Sequence, residues 1–254
     1  MERRFHCTAC GKCCFGWLPL TLKDALAHAG RFPLAVVWTP VKPASKAFDI
    51  TARIGITVKT HDKKRLAVGI VPMAYIPPSM PCPALSSDNL CGIHANKPSR
   101  CRTMPFFPYR AASDQADLLI PRMGWACDTS SAAPVVYRDK SITDPTDFDR
   151  EHSDLLEQAP TMRAYGEWLM TIVPTMLDNL TRAALKPRGG QVVVSFASLL
   201  RRLADVDREA IAQAQIALLR DFSGKVADRP SLAEYQKNYD DWAWEMERLA
   251  GRIL

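Results

Sequence analysis

Residues 7–14 read Cys7-Thr8-Ala9-Cys10-Gly11-Lys12-Cys13-Cys14, which puts four of the eight cysteines of this 254-residue chain into eight consecutive positions. A packed core has no use for four soft sulfurs on one short loop. The neighbours Cys13 and Cys14 cannot bond to each other without straining the peptide between them. A metal or cluster can collect all four. The intervening residues are small or flexible, so the backbone can wrap and turn its N–H groups toward thiolates.

The other four cysteines, Cys82, Cys91, Cys101 and Cys127, each sit in turn-forming sequence: Met80-Pro81-Cys82-Pro83, Asn89-Leu90-Cys91-Gly92, Ser99-Arg100-Cys101-Arg102 and Gly124-Trp125-Ala126-Cys127. Loops can converge where strands cannot, and nearby glycine and proline expose backbone donors for anionic sulfur. All eight cysteines are therefore candidate metal ligands. Two inorganic solutions fit. Zinc takes four tetrahedral ligands, so eight thiolates make two closed sites, and a histidine can replace one of them. An iron–sulfur cluster suits the two-residue spacing of the first three cysteines, with a distant Cys-Pro pair such as Cys82-Pro83 as fourth ligand. His94 and His6 are auxiliary candidates, ahead of His28, His61 and His152. Arg100, Arg102, Lys12 and Arg110 are cations able to offset thiolate charge.

Working outward, residues 1 to about 130 hold every cysteine, whereas the chain from about 145 onward is patterned as helices. The polar stretch Ser130 to Asp147, broken by Pro134 and Pro145, marks a boundary. We expect a cysteine-cluster domain at 1–140 and a helical region at 141–254 packed on it, an α+β fold. Alternation through Phe48, Ile50, Ala52, Ile54, Ile56 and Val58, renewed at Leu66, Val68 and Ile70, predicts a β-hairpin. A short strand is expected at Leu118–Ile120 and a short helix at Leu20–Ala29, begun by Thr21. Helices are expected over Asp147–Gln158, Thr161–Val173, Thr175–Leu185, Asp207–Phe222 and Leu232–Arg252, the last opened by a Ser231/Glu234 capping box. Val192–Leu203 reads either as a strand or as a helix capped by Ser195. Tyr235, Tyr239 and Trp242 share one helical face and read as core.

The net charge of +6 is mild and interspersed with acids, and no recognised nucleic-acid motif accompanies it, so nucleic-acid binding is not expected. No long uncharged apolar stretch could span a bilayer, and nothing before Cys7 could serve as an apolar signal segment; a cytoplasmic location is expected, where grouped cysteines act as thiolate ligands.

The order Phe5-His6-Cys7-Thr8-x-Cys10-Gly11-Lys12-Cys13-Cys14, then Cys82-Pro83-x-Leu85, Cys91-x-Ile93-His94 and Lys97-Pro98-x-x-Cys101-Arg102-x-x-Pro105-Phe106 resembles the YkgJ-type cysteine-cluster family, a CxxCxxCC zinc- or iron-chelating domain. Two positions depart from its pattern: His94 replaces an aromatic and Lys97 an arginine. The resemblance covers about the first half of the chain and implies metal or cluster binding without a specified reaction. Flagellin lysine N-methylases are similar in carrying such a cluster, which implies as an alternative a cluster-dependent transferase using S-adenosylmethionine on a protein substrate. Its cofactor pocket would lie between the two halves, because no Gly-rich nucleotide loop follows a clear strand. A further alternative is a metal-delivery or redox-sensing protein.

Overall fold

The structure, a computed structural model, describes residues 2–187 and 189–251. In chain order its first elements are β1 (Glu2–Arg4), β2 (Leu18–Pro19), α1 (Leu22–Ala27), β3 (Leu34–Val41), α2 (Phe48–Ile54), β4 (Ile56–Lys59), β5 (Arg65–Ala74) and α3 (Ser99–Thr103). There follow β6 (Val135–Arg138), β7 (Ser141–Ile142), α4 (Thr146–Ile172), α5 (Met176–Leu185), β8 (Val192–Ser195), α6 (Phe196–Leu200), α7 (Arg208–Val226) and α8 (Ala233–Leu249). The fold is α+β, as expected.

Two antiparallel sheets position everything else. In the larger one β5 pairs with β3 along its whole length, from Leu34 opposite Ala74 to Val41 opposite Ala67. The other edge of β5 is shared by β2, at Met73 and Ala74, and β4, at Arg65 to Val68. On the far side of β3 lies β8, with Ala35 opposite Ser195 and Trp38 opposite Val192. A strand from the C-terminal half thus completes the sheet of the N-terminal half. Leu34 through Trp38 are fully buried, and Leu34, Ala35, Val36 and Trp38 share one core with Tyr165, Leu180, Leu219, Tyr239 and Met246 from the helices. The smaller sheet runs β1-β6-β7. Its hairpin turns through Asp139 and Lys140, both at positive φ as a two-residue primed turn requires, and the expected cut at 140/141 falls at the end of that turn.

Several expectations are corrected. The hairpin exists as β4 and β5, but residues 48–54 form helix α2 instead of extending its first arm. The edge of β5 that they would need is occupied by β2, and Pro72 has no N–H to offer. Gly55 allows the switch from α2 to β4, since a Cβ there would lie 2.0 Å from the Val68 carbonyl oxygen. The two helices expected on either side of Pro160 are the single helix α4. Losing one hydrogen bond at proline is outweighed by a buried stripe that runs through it, Phe148, Leu155, Ala159, Met162, Tyr165 and Leu169. Residues 118–120 are turns, drawn in by buried Leu119 and shaped by buried Gln115, whose amide holds Phe107, Arg110 and Ala111. Both readings of 192–203 hold in succession: β8 ends at Ser195, whose hydroxyl then caps α6. Ser231 makes no cap; a 3₁₀ turn at Pro230–Leu232 leads into α8, and the expected end at Arg252 lies outside the described residues. The other expected helices form: α1 is capped by Thr21 and α7 by Asp207.

The aromatic face of α8 is core, as its spacing indicated. Tyr235, Tyr239 and Trp242 surround Tyr75, with ring centroids 4.6, 5.8 and 4.9 Å away. Trp17, three residues beyond Cys14, joins them at 5.2 Å from Tyr75 and donates its indole N–H to the Tyr235 hydroxyl at 2.8 Å. Among the described residues no helix is long and apolar enough to cross a membrane.

Candidate metal centre

The cysteine run spans the gap between the two sheets, entering after β1 and leaving into β2. Each end is fastened by backbone pairing. At the start, His6 and Asp128 exchange both N–H···O bonds, at 2.8 and 3.0 Å, and the Thr8 hydroxyl donates to the Ala126 carbonyl at 2.9 Å. At the end, Phe15 pairs with Pro81, Gly16 N–H donates to the Met80 carbonyl at 3.3 Å and Cys82 N–H to the Cys14 carbonyl at 2.7 Å. Between them the chain doubles back, with Cys14 N–H donating to the Gly11 carbonyl at 3.0 Å. Gly11 is required at that bend: its φ is +69°, and a Cβ would approach the Asn89 side-chain oxygen to 3.1 Å.

The remaining sulfurs arrive on short loops. Leu85 pairs with Cys91, and Gly92 N–H reaches the Ala84 carbonyl at 2.7 Å, which folds residues 82–92 into a closed loop beside the run. Cys101 sits in α3. That helix is tied to α1 by Asp24, whose carboxylate accepts from Ser99 N–H at 2.9 Å, and to α4 by the buried pair Arg100–Glu151 at 3.5 Å.

Within this frame Cys14, Cys82, Cys91 and Cys101 are mutual electrostatic neighbours. Every one of the six pairs among them is close enough that ionising one thiol opposes ionising the other. Desolvation is the larger influence on two of them. It raises the Cys82 thiol above its ordinary value and carries Cys101 to about 12, with the neighbouring sulfurs adding to both. Cys14 is drawn down, chiefly by the hydrogen bond that Cys13 donates to its sulfur; the same bond is the main cause that Cys13 is driven up. The outer sulfurs differ. Backbone N–H groups of Lys12 and Ala126 point at the Cys10 sulfur and pull its thiol down. Burial raises Cys127, with further repulsion from Cys10, Cys7 and Cys13. Among the described residues no three of these side chains already converge to metal-bonding spacing: the loops gather the sulfurs as neighbours, and a bound ion would have to draw them together.

The cations are placed differently from expectation. Arg102 donates to the Lys97 and Ala95 carbonyls, at 3.1 and 2.6 Å, so it shapes the loop before α3 instead of facing a thiolate. Arg100 turns inward to Glu151 and the Phe106 carbonyl. The cations that act on sulfur are Arg100, which still favours the Cys101 thiolate as expected, together with Lys97, on Cys13, and Arg31, on Cys82. Arg31 lies far from any cysteine in sequence and carried no signal; Lys97 was visible as a departure from the family pattern. His6 and His94 are exposed, while His28 lies against Phe32, His61 pairs with Asp178 and His152 stacks on Phe148. A cleft of about 400 Å³ lies between β4 and α4, lined by Gly55, Thr57, Val58, Arg163, Glu167 and Met170, with no cysteine in its wall.

Residues 6–128 match the sequence model of the CxxCxxCC family, described as a "putative zinc- or iron-chelating domain". That stretch is similar to the CxxCxxCC family. The matched stretch takes in all eight cysteines and just under half of the chain, and the function class that the family's description carries is the chelation of zinc or iron. No curated protein and no solved structure matches the chain significantly.

Proposed function

We propose that the CxxCxxCC domain holds its metal through the thiolates of Cys14, Cys82, Cys91 and Cys101. The observation that carries this reading is the all-against-all proximity of four sulfurs delivered by the opening run, the 82–92 loop and α3. The donor set fits: four soft sulfurs suit zinc or iron and not a hard cation such as calcium. Bound zinc would cross-link the loops, and bound iron would add redox capacity. The chain's own part is preparatory. Backbone pairing brings the loops into register, and partial burial keeps Cys82 and Cys101 protonated until a cation displaces their protons. Loading therefore releases protons and weakens in acid.

Anaerobic purification followed by elemental analysis and absorption spectroscopy tests the proposal. Zinc without a visible band means a zinc site, and iron with labile sulfide and a broad visible band means a cluster. Folded, metal-free protein that cannot be loaded with either would overturn it.

A further inference from the structure

The four cysteines outside that set are themselves held together. Because His6 and Asp128 form a hydrogen-bonded antiparallel pair, the next residues inward, Cys7 and Cys127, are brought near each other, and their sulfurs are electrostatic neighbours. Cys10 is brought to the same place by the contact between Thr8 and Ala126, and the N–H groups of Lys12 and Ala126 are aimed at its sulfur, the usual provision for a metal-bound thiolate. Cys13 is the sulfur with neighbours in both directions: Cys14 and Cys101 on one side, Cys10 and Cys127 on the other.

We infer that the domain contains a second thiolate metal site, made by Cys7, Cys10, Cys13 and Cys127, and that the peptide between Cys13 and Cys14 is the seam where one run of sequence serves two sites. The inference rests on the proposed first site and extends it. Two backbone pairings fasten the run at opposite ends, one to residues 126–128 and one to residues 80–82, so its sulfurs divide between different partners. Each set then has four sulfurs, the number that closes a zinc site. The two differ in access. Cys7 and Cys13 are exposed, so the second site opens to solvent and would exchange a soft divalent cation faster than the first.

The test is metal counting by native mass spectrometry on the full chain, stripped and reloaded anaerobically with Zn(II). Wild type should hold two equivalents, one of them removed quickly by a chelator. Cys13→Ser and Cys14→Ser, one residue apart, should each hold one. The seam predicts how doubles behave: Cys13→Ser with Cys10→Ser keeps one equivalent, and Cys13→Ser with Cys91→Ser keeps none. Cys7→Ser and Cys127→Ser, confined to the outer set, repeat the measurement should a variant in the run misfold. A single equivalent in wild type, or loss of all metal from either single variant with its circular dichroism intact, would overturn the two-site inference alone. Wild type that binds no metal would overturn the underlying proposal.

Discussion

The two sulfur sets share one sequence run and one chemistry, yet they rest on different foundations. The set around Cys14 hangs from the large sheet: Cys14 is three residues from Trp17, and Cys101 is moored to α4 through Arg100 and Glu151. The set around Cys10 hangs from the small sheet, whose Tyr137 and Ile142 belong to a smaller cluster with Phe106, Leu119 and Phe148, and from loop 126–128. Burial raises the Cys82 and Cys101 thiols of the first set, whereas backbone N–H groups lower that of Cys10 in the second. A site coupled to the core transmits metal binding into fold stability, and a site on exposed loops does not.

The largest effect that could break this comparison is metal removal. Structural zinc contributes about 10–16 kcal/mol to the folding of small peptides, and here the sheet has its own core, so part of that amount should appear. Cys14→Ser or Cys101→Ser is expected to lower the thermal midpoint of the metal-loaded protein by several times the drop caused by Cys7→Ser. Equal drops would erase the distinction. Next in size is Glu151→Ala, which leaves the Arg100 guanidinium buried without its counter-charge and should cost about 3–5 kcal/mol in denaturant unfolding. If Arg100 and Glu151 anchor α3, this variant should also weaken the Cys101 site while leaving the Cys10 site loaded.

The core beneath supplies a control. Gly166 lies where a Cβ would come 2.4 Å from Ile70 Cδ1 and 3.0 Å from Ile56 Cγ2, so Gly166→Ala should cost about 1–3 kcal/mol by overpacking, with no change in metal equivalents. Smallest is a pH effect on metal-free protein. Cys82 and Cys101 hold their protons above the unfolded value of 9.0, so the native state binds more protons than the unfolded one between about pH 9 and 12, and stability should fall as pH rises through that window. The lowered Cys10 thiol acts in the opposite sense: its stabilisation is complete above 9.0 and fades as pH falls through its own lowered value. Mass-mapped alkylation should label Cys10 at a lower pH than Cys101; the reverse order would sink the assignment of environments.

The sulfur cluster was legible because eight cysteines in turn-rich sequence have few other uses, and the α8 face because its three-and-four spacing left one burial solution. What misled was local pattern without knowledge of neighbours. Residues 48–54 alternate like a strand, and only the presence of β2 on the edge of β5 removes that option. Pro160 looks like a helix break, and only the continuous buried stripe carries α4 past it. Arg31 acts on Cys82 across 51 positions of sequence, and Arg100 is claimed by a glutamate 51 positions away in the other direction, contacts no spacing rule encodes.

The place of β8 has a consequence for how the protein is made. Strand β3 needs β8 on its flank, and Leu34 N–H is held by the side chain of Gln215 at 2.9 Å. Every cysteine therefore leaves the ribosome before the larger sheet, which supports Cys14, Cys82, Cys91 and Cys101, can close. At roughly 5–20 residues per second, the interval between Cys127 and Val192 lasts on the order of 3–13 s. During that time the newborn chain displays the thiols of Cys14, Cys82, Cys91 and Cys101 on unfinished loops, open to capture by any thiophilic ion or oxidant in reach before the last helices are translated.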